Sequence, residues 1–143
     1  MAILRLSLSN QPSELSRVKF ALGEFLEEEG VVPLTVNRVM HIVEELVVNV
    51  IRHAFDDTAK HTILLDVRTD ARGVAIVVED DGKPFDPRDA SSPPLTELLE
   101  AGKAGGLGVT MIKKLARDLE YKRVDGRNHV RAFVEHGSSP SSA

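Results

Sequence analysis

"EELVVNVIRHAF", residues 44–55, has the make-up of an ordinary packed helix, with Leu46, Val47, Val48, Val50 and Ile51 to bury. Asn49 is out of place in it. Asparagine is a poor helix former because its amide competes for nearby backbone groups. It lies one helical turn after Glu45, so both side chains fall on one face, with Arg52 and His53 beside them. The stretch is either a solvated surface or the lining of a site.

Working outward, Pro33 opens this helix and the apolar pattern carries it to about Ala54. Val36, Met40, Val43, Val47, Val50 and Ala54 cluster on one side, the expected core face. Arg38, His41, Glu45, Asn49 and Arg52 cluster opposite. Charges on a helix ordinarily mean solvent. Here Ile42 and Val48 flank the stripe, so something is expected to lie over its polar side. A carboxylate and an amide one turn apart can hold a hard cation together with a phosphate, since magnesium favours oxygen ligands and keeps several waters.

The 143 residues favour one domain with a core large enough to fold alone. With 18 basic against 22 acidic residues and no long basic run, nucleic acid is not the expected direct partner. Cysteine is absent, which excludes disulfides and fits a cytoplasmic setting. The opening "MAILRLSLSN" alternates apolar and polar residues and reads as a strand rather than a signal peptide. No apolar run approaches the roughly 20 residues that span a bilayer, so no membrane partner is expected. Residues 1–136 read as a single domain and "GSSPSSA", 137–143, as a disordered tail.

A first strand is expected at about residues 2–8, followed by an amphipathic helix that buries Leu15, Val18, Ala21, Leu22 and Phe25 and stops at Gly30. "HTILLDVRTD" and "RGVAIVVEDDG" form a hairpin turning near Asp70 to Gly73. A long segment follows with Pro87, Pro93 and Pro94 and a short helical piece, "LTELLEAG". Such a stretch inside a compact domain is usually functional. "GGLGVTMIKKLARDL" restarts a helix, and a second hairpin turns at Asp125-Gly126. Helices on one face of a mostly antiparallel sheet make an α+β two-layer sandwich.

Two further stretches carry chemistry. "EDDGKPFDP", residues 79–87, ends a strand with an acid and a glycine, and Pro84 argues against a tight hairpin there. A buried carboxylate at that strand end can accept the amino group of an adenine, with Gly82 allowing the ring to approach. In "AGKAGGLGVTMIKKL", Gly102, Gly105, Gly106 and Gly108 crowd a helix start, where free backbone N–H groups favour anions. No P-loop occurs, and the glycines follow a loop rather than a strand, which excludes the Rossmann pattern.

Taken in order, E-x-x-x-N on a helix, D-x-G after a strand and G-x-G opening another helix resemble the Bergerat-fold (GHKL) ATP-binding domains of gyrase, histidine kinases and MutL. The resemblance covers about residues 3–135. "EELVVNVIRHAF", "DDGKPFDP" and "GGLGVTMIKKLARDLEY" look most like the small stand-alone bacterial anti-sigma factors that act as serine-protein kinases. It implies ATP and Mg²⁺ as cofactors, Asn49 as magnesium ligand and Glu45 as catalytic base. It implies that Asp80 bonds the adenine amino group, that Gly82 packs on the base and that Gly106 and Gly108 admit the phosphates. Residues 87–104 would form a lid. Relatives often carry a basic residue just before the glycines; here that residue is Ala104, so Lys103 is the cation left to reach the terminal phosphate.

The partners implied are a STAS-type anti-anti-sigma protein, phosphorylated on serine, and a sigma factor held inactive, with the kinase a homodimer. The alternative is a regulatory module that binds ATP and sequesters a partner without phosphoryl transfer. A sensor histidine kinase would need a helical hairpin bearing the phospho-accepting histidine, and a gyrase- or MutL-type ATPase a transducer domain. Neither is expected in this chain.

Overall fold

A computed structural model describes residues 1–57, 59–88, 116 and 118–137. The elements are β1 (Ala2–Ser9), α1 (Glu14–Glu28), α2 (Pro33–His53), β2 (Thr62–Thr69), β3 (Gly73–Asp80), β4 (Asp118–Val124) and β5 (Arg127–Glu135). The five strands form one sheet in the order β1-β2-β3-β5-β4, with every neighbouring pair antiparallel. Both helices pack on one face of it, making the α+β two-layer sandwich. The short helical piece "LTELLEAG", the helix after the glycines, Lys103, Gly106, Gly108 and most of the expected lid lie outside the described residues.

Each element starts and stops for a local reason. Gly30 adopts φ 70°, and Gly30 N–H and Val31 N–H donate to the Glu27 and Leu26 carbonyls at 3.0 Å each, closing α1 with a Schellman turn. Pro33 then sits in the first turn of α2, where its missing N–H costs nothing. Asp125 (φ 52°) and Gly126 (φ 75°) give the β4–β5 hairpin the paired left-handed residues that match strand twist.

The core is the inner row of the sheet against the helices. Ile63, Leu65 and Val67 of β2, Val74, Ile76 and Val78 of β3, and Val130, Ala132 and Val134 of β5 are buried, meeting Val18, Leu22 and Leu26 of α1. α2 buries a wider face than its periodicity predicts. Val36 and Met40 are only partly buried, whereas Val39 and Ile42 (both 0% exposed) and Leu46 are enclosed. The helix touches α1 on one side and β3 and β5 on the other, so two sides are covered. This brings Glu45 and Asn49 to the edge of the core.

Candidate functional site

Two of the three sequence motifs meet in the described structure. The inner row of β3 runs Val74, Ile76, Val78 and ends in Asp80, which is 2% exposed. The polypeptide then turns directly beneath the C-terminus of α2. Lys83 N–H donates to the Ala54 carbonyl at 2.8 Å, and Lys83 Nζ reaches Asp56 at 2.8 Å. A Cβ on Gly82 would lie 2.4 Å from the Ala54 oxygen and 2.5 Å from its Cβ. Glycine is therefore required here by the end of α2. Phe85 stacks on His53 with centroids 5.1 Å apart, closing the turn against the helix.

A narrow, mainly apolar cleft results, lined by Leu46, Asn49, Val50, Ala54, Val78, Asp80, Phe85, Pro87 and Val130. Asn49 and Asp80 share its wall, as the sequence pattern requires. Glu45 Oε2 and Asn49 Nδ2 are buried with no hydrogen-bond partner among the described residues. An unpaired buried polar atom costs about 1–3 kcal/mol. Burial, and then the neighbouring Glu44 carboxylate, raise the Glu45 pKa above its usual value, opposed by Arg52. Both mark this end of the cleft as polar within an otherwise apolar surround.

At the other end, Asp80 Oδ1 accepts Gly82 N–H at 2.8 Å and Asn128 Nδ2 at 3.0 Å. Asn128, the register partner of Asp80 on β5, also donates to the Lys83 carbonyl at 2.8 Å. Its Oδ1 accepts Tyr121 Oη at 2.7 Å and Arg123 Nη1 at 3.0 Å. Sequence reasoning missed Asn128, Tyr121 and Arg123. The signal was present: in "RNHVRAFVE" the inward row of β5 begins with a polar residue where the alternation calls for an apolar one.

Among the described residues no group of three or more His, Asp or Glu side chains could cage a metal ion. Asn49 is half-buried on the cleft wall, and its side-chain oxygen, rather than the unpartnered Nδ2 donor, is the atom that could take a hard cation. A larger concavity of about 660 Å³ lies on the outer side of the sheet, lined in part by Arg5, Asp66, Arg68, Glu79 and Arg131. There Asp66 is paired with both Arg5 and Arg68 at 3.0 Å, and neither Asn49 nor Asp80 lines it. No described helix is long and apolar enough to cross a membrane.

This is the Bergerat, histidine-kinase-like ATPase architecture, with the helix-borne Glu45 and Asn49 over the strand-end Asp80. Residues 8–134 match the family model for the histidine kinase-like ATPase domain, and the chain belongs to that family. It is 34% identical over 99 residues to the serine/threonine-protein kinase BtrW of Bordetella bronchiseptica, covering 69% of this chain and 68% of that protein. The RsbU and RsbW domains of Rv1364c from Mycobacterium tuberculosis superpose with a TM-score of 0.68 at 17% identity. That match covers 96% of this chain but only 34% of the other, so the chain spans about a third of that protein. A chain of the SiaB-SiaC complex from Pseudomonas aeruginosa superposes with a TM-score of 0.54 at 19% identity, covering 93% of this chain and 90% of that one. At such identities the two structures speak for the fold alone.

Proposed function

We propose that this chain binds ATP with magnesium and transfers the terminal phosphoryl group to a serine of a STAS-type anti-anti-sigma protein, and that it otherwise holds a sigma factor inactive. The observation that carries the chemistry is the half-buried Glu45 carboxylate, whose Oε2 has no hydrogen-bond partner among the described residues and whose pKa is raised, one turn from Asn49. The similarity to a protein named as a serine/threonine kinase supports transfer to a hydroxyl.

In this reading Asp80 accepts the adenine amino group, and the apolar wall from Leu46 to Val130 receives the base. Asn49 would hold magnesium, whose charge would offset that of the phosphates. Glu45 takes the serine proton as the new oxygen–phosphorus bond forms and the bond to the ADP oxygen breaks. A base with a pKa raised toward neutrality is better matched to that task than an ordinary carboxylate. Gly106, Gly108 and Lys103 would complete the phosphate side, residues 1–136 would form the domain, and a homodimer would be the working unit.

The test is incubation of the protein with labelled ATP and purified STAS-type partners, beside nucleotide and sigma-factor binding. Phosphate on a partner serine supports the proposal. Tight nucleotide and partner binding without any transfer would instead make this a sequestering module.

A further inference from the structure

Asn128 is 1% exposed, and the protein uses its polar capacity in full. A side-chain amide has two N–H donors and one oxygen with two lone pairs. Here both donors are spent, on Asp80 Oδ1 at 3.0 Å and the Lys83 carbonyl at 2.8 Å. The oxygen receives Tyr121 Oη at 2.7 Å, Arg123 Nη1 at 3.0 Å and, more distantly, Phe85 N–H at 3.4 Å. A flipped amide would set oxygen against a carboxylate and a carbonyl, so the network itself fixes the orientation. No capacity is left for a ligand.

Asp80 is held in a matching way. The Gly82 and Asn128 bonds both fall on Oδ1, so the carboxylate cannot rotate without breaking them, and Oδ2 is the oxygen presented to an incoming donor. Arg123 ties the far side, since Nη1 also bonds the Gly82 carbonyl at 2.9 Å and Nη2 the Gly126 carbonyl at 3.1 Å. The β4–β5 hairpin thus reaches across the sheet to fix both the acid and the turn that follows it.

We propose that Asn128, backed by Tyr121 and Arg123, is the positioning residue that sets the orientation of the Asp80 carboxylate and hence the base selectivity of the site, without touching the nucleotide. This rests on the ATP-binding reading above.

The experiment measures ATP and inosine triphosphate affinity for wild type, Asn128→Asp, Arg123→Ala and Tyr121→Phe. Inosine carries a carbonyl where adenine carries its amino group and a proton on the adjacent N1, so the affinity ratio reports the base edge that faces Asp80. Asn128→Asp sets two carboxylates side by side, and at about pH 8 ATP affinity should fall roughly tenfold or more, as for a lost charge-assisted hydrogen bond. Toward about pH 5.5 the new carboxyl, its pKa raised by its neighbour, becomes protonated and can donate to Asp80 Oδ1 again. Its ATP affinity relative to wild type at the same pH should then recover, which a purely structural defect would not produce. Arg123→Ala and Tyr121→Phe alter the outer strand and decide the matter if Asn128→Asp does not fold. Both should lower the ATP-to-inosine ratio while leaving inosine triphosphate affinity unchanged. Wild-type ratios in all variants that fold overturn the assignment of Asn128. Failure of the wild type itself to bind ATP overturns the ATP-binding reading and this one with it.

Discussion

Glu45 and Asn49 stand one turn apart on α2, each with a buried polar atom that has no partner among the described residues. The fold sustains two unfavourable burials side by side, a pattern typical of groups kept for a ligand. Their roles under the proposed function differ, and so do the expected effects of removing them. Asn49→Ala should weaken ATP binding in magnesium much more than in its absence. Glu45→Ala should leave ATP affinity nearly unchanged and slow transfer roughly 10²–10⁴-fold, the usual range for a general base. Titration calorimetry with and without magnesium, beside phosphate incorporation, separates them. Identical behaviour of the two variants would contradict the division of roles.

Glu45 also makes a stability prediction. Its folded-state pKa is raised, chiefly by burial, so the folded protein holds that proton longer than the unfolded chain does. Stability contributed by this group therefore declines as pH rises from the ordinary carboxylate value of 4.5 through the raised one. Glu45→Gln, which removes the charge and keeps the shape, should melt at a higher temperature than wild type at pH 8, with the gap narrowing toward acid. A variant that melts lower at pH 8 would show that the carboxylate is not penalised there.

At the opposite end of the cleft, the Asp80 carboxylate should discriminate between purines. ATP and ADP should raise the melting temperature, whereas GTP, with a carbonyl where adenine has its amino group, should not. Asp80→Asn keeps an oxygen for Gly82 and Asn128 but turns an N–H toward the base. The loss of a hydrogen bond to a charged acceptor is worth roughly 1.5–3 kcal/mol, so ATP affinity should drop at least about tenfold. Equal thermal shifts with ATP and GTP would remove Asp80 from the adenine contact.

Gly82 is constrained by space against Ala54, whose backbone oxygen cannot swing aside as a flexible side chain would. Gly82→Ala should destabilise the protein by roughly 1–3 kcal/mol, the common cost of overpacking. Because the displaced turn carries the neighbours of Asp80, ATP affinity should fall too. Thermal melts and nucleotide titrations check both, and an alanine variant as stable as wild type would show that the turn can move freely.

Far from the cleft, Glu14 links β1 to α1: it accepts Ser9 N–H at 2.9 Å and Arg17 Nε at 2.8 Å. The Arg17 bond, then the Ser9 bond, lower its pKa from 4.5 to about 2. A depressed acid contributes stability that is fully present above pH 4.5 and lost as pH falls through about 2. Glu14→Gln should melt below wild type at pH 7, and the two should converge under acid. Added salt should narrow the difference, since the pair is at the surface.

Periodicity and turn chemistry made most of the fold legible. The alternation of β1, β2 and β3, the glycine after α1 and the Asp125-Gly126 turn are local signals, and local signals survive without tertiary context. The α2 core face was read too narrowly, with Val43, Val47, Val50 and Ala54 buried as expected but Val39, Ile42 and Leu46 left out. Periodicity assumes a single covering layer, whereas α2 is covered by α1 and the sheet together. Glu45, Asn49 and Asp80 stand out in the sequence as candidates since polar groups break apolar patterns. Asn128 was not singled out, because its partner lies 48 positions earlier and only strand register brings the two together. The steric reason for Gly82 likewise depends on where α2 ends.

That separation has a consequence for how the chain tolerates changes in length. The hydrogen bond joining Asp80 to Asn128 closes a loop of chain whose entropic cost grows only logarithmically, by about 0.6 kcal/mol for each doubling of length. In closure entropy alone, length changes in the connection that follows the 81–88 turn are therefore cheap, whereas the turn itself is fixed against Ala54 and Asn128. Folding speed is less tolerant, because β3–β5 pairing must wait for that loop to close. Lengthening that connection should accordingly slow refolding more than it lowers the melting temperature.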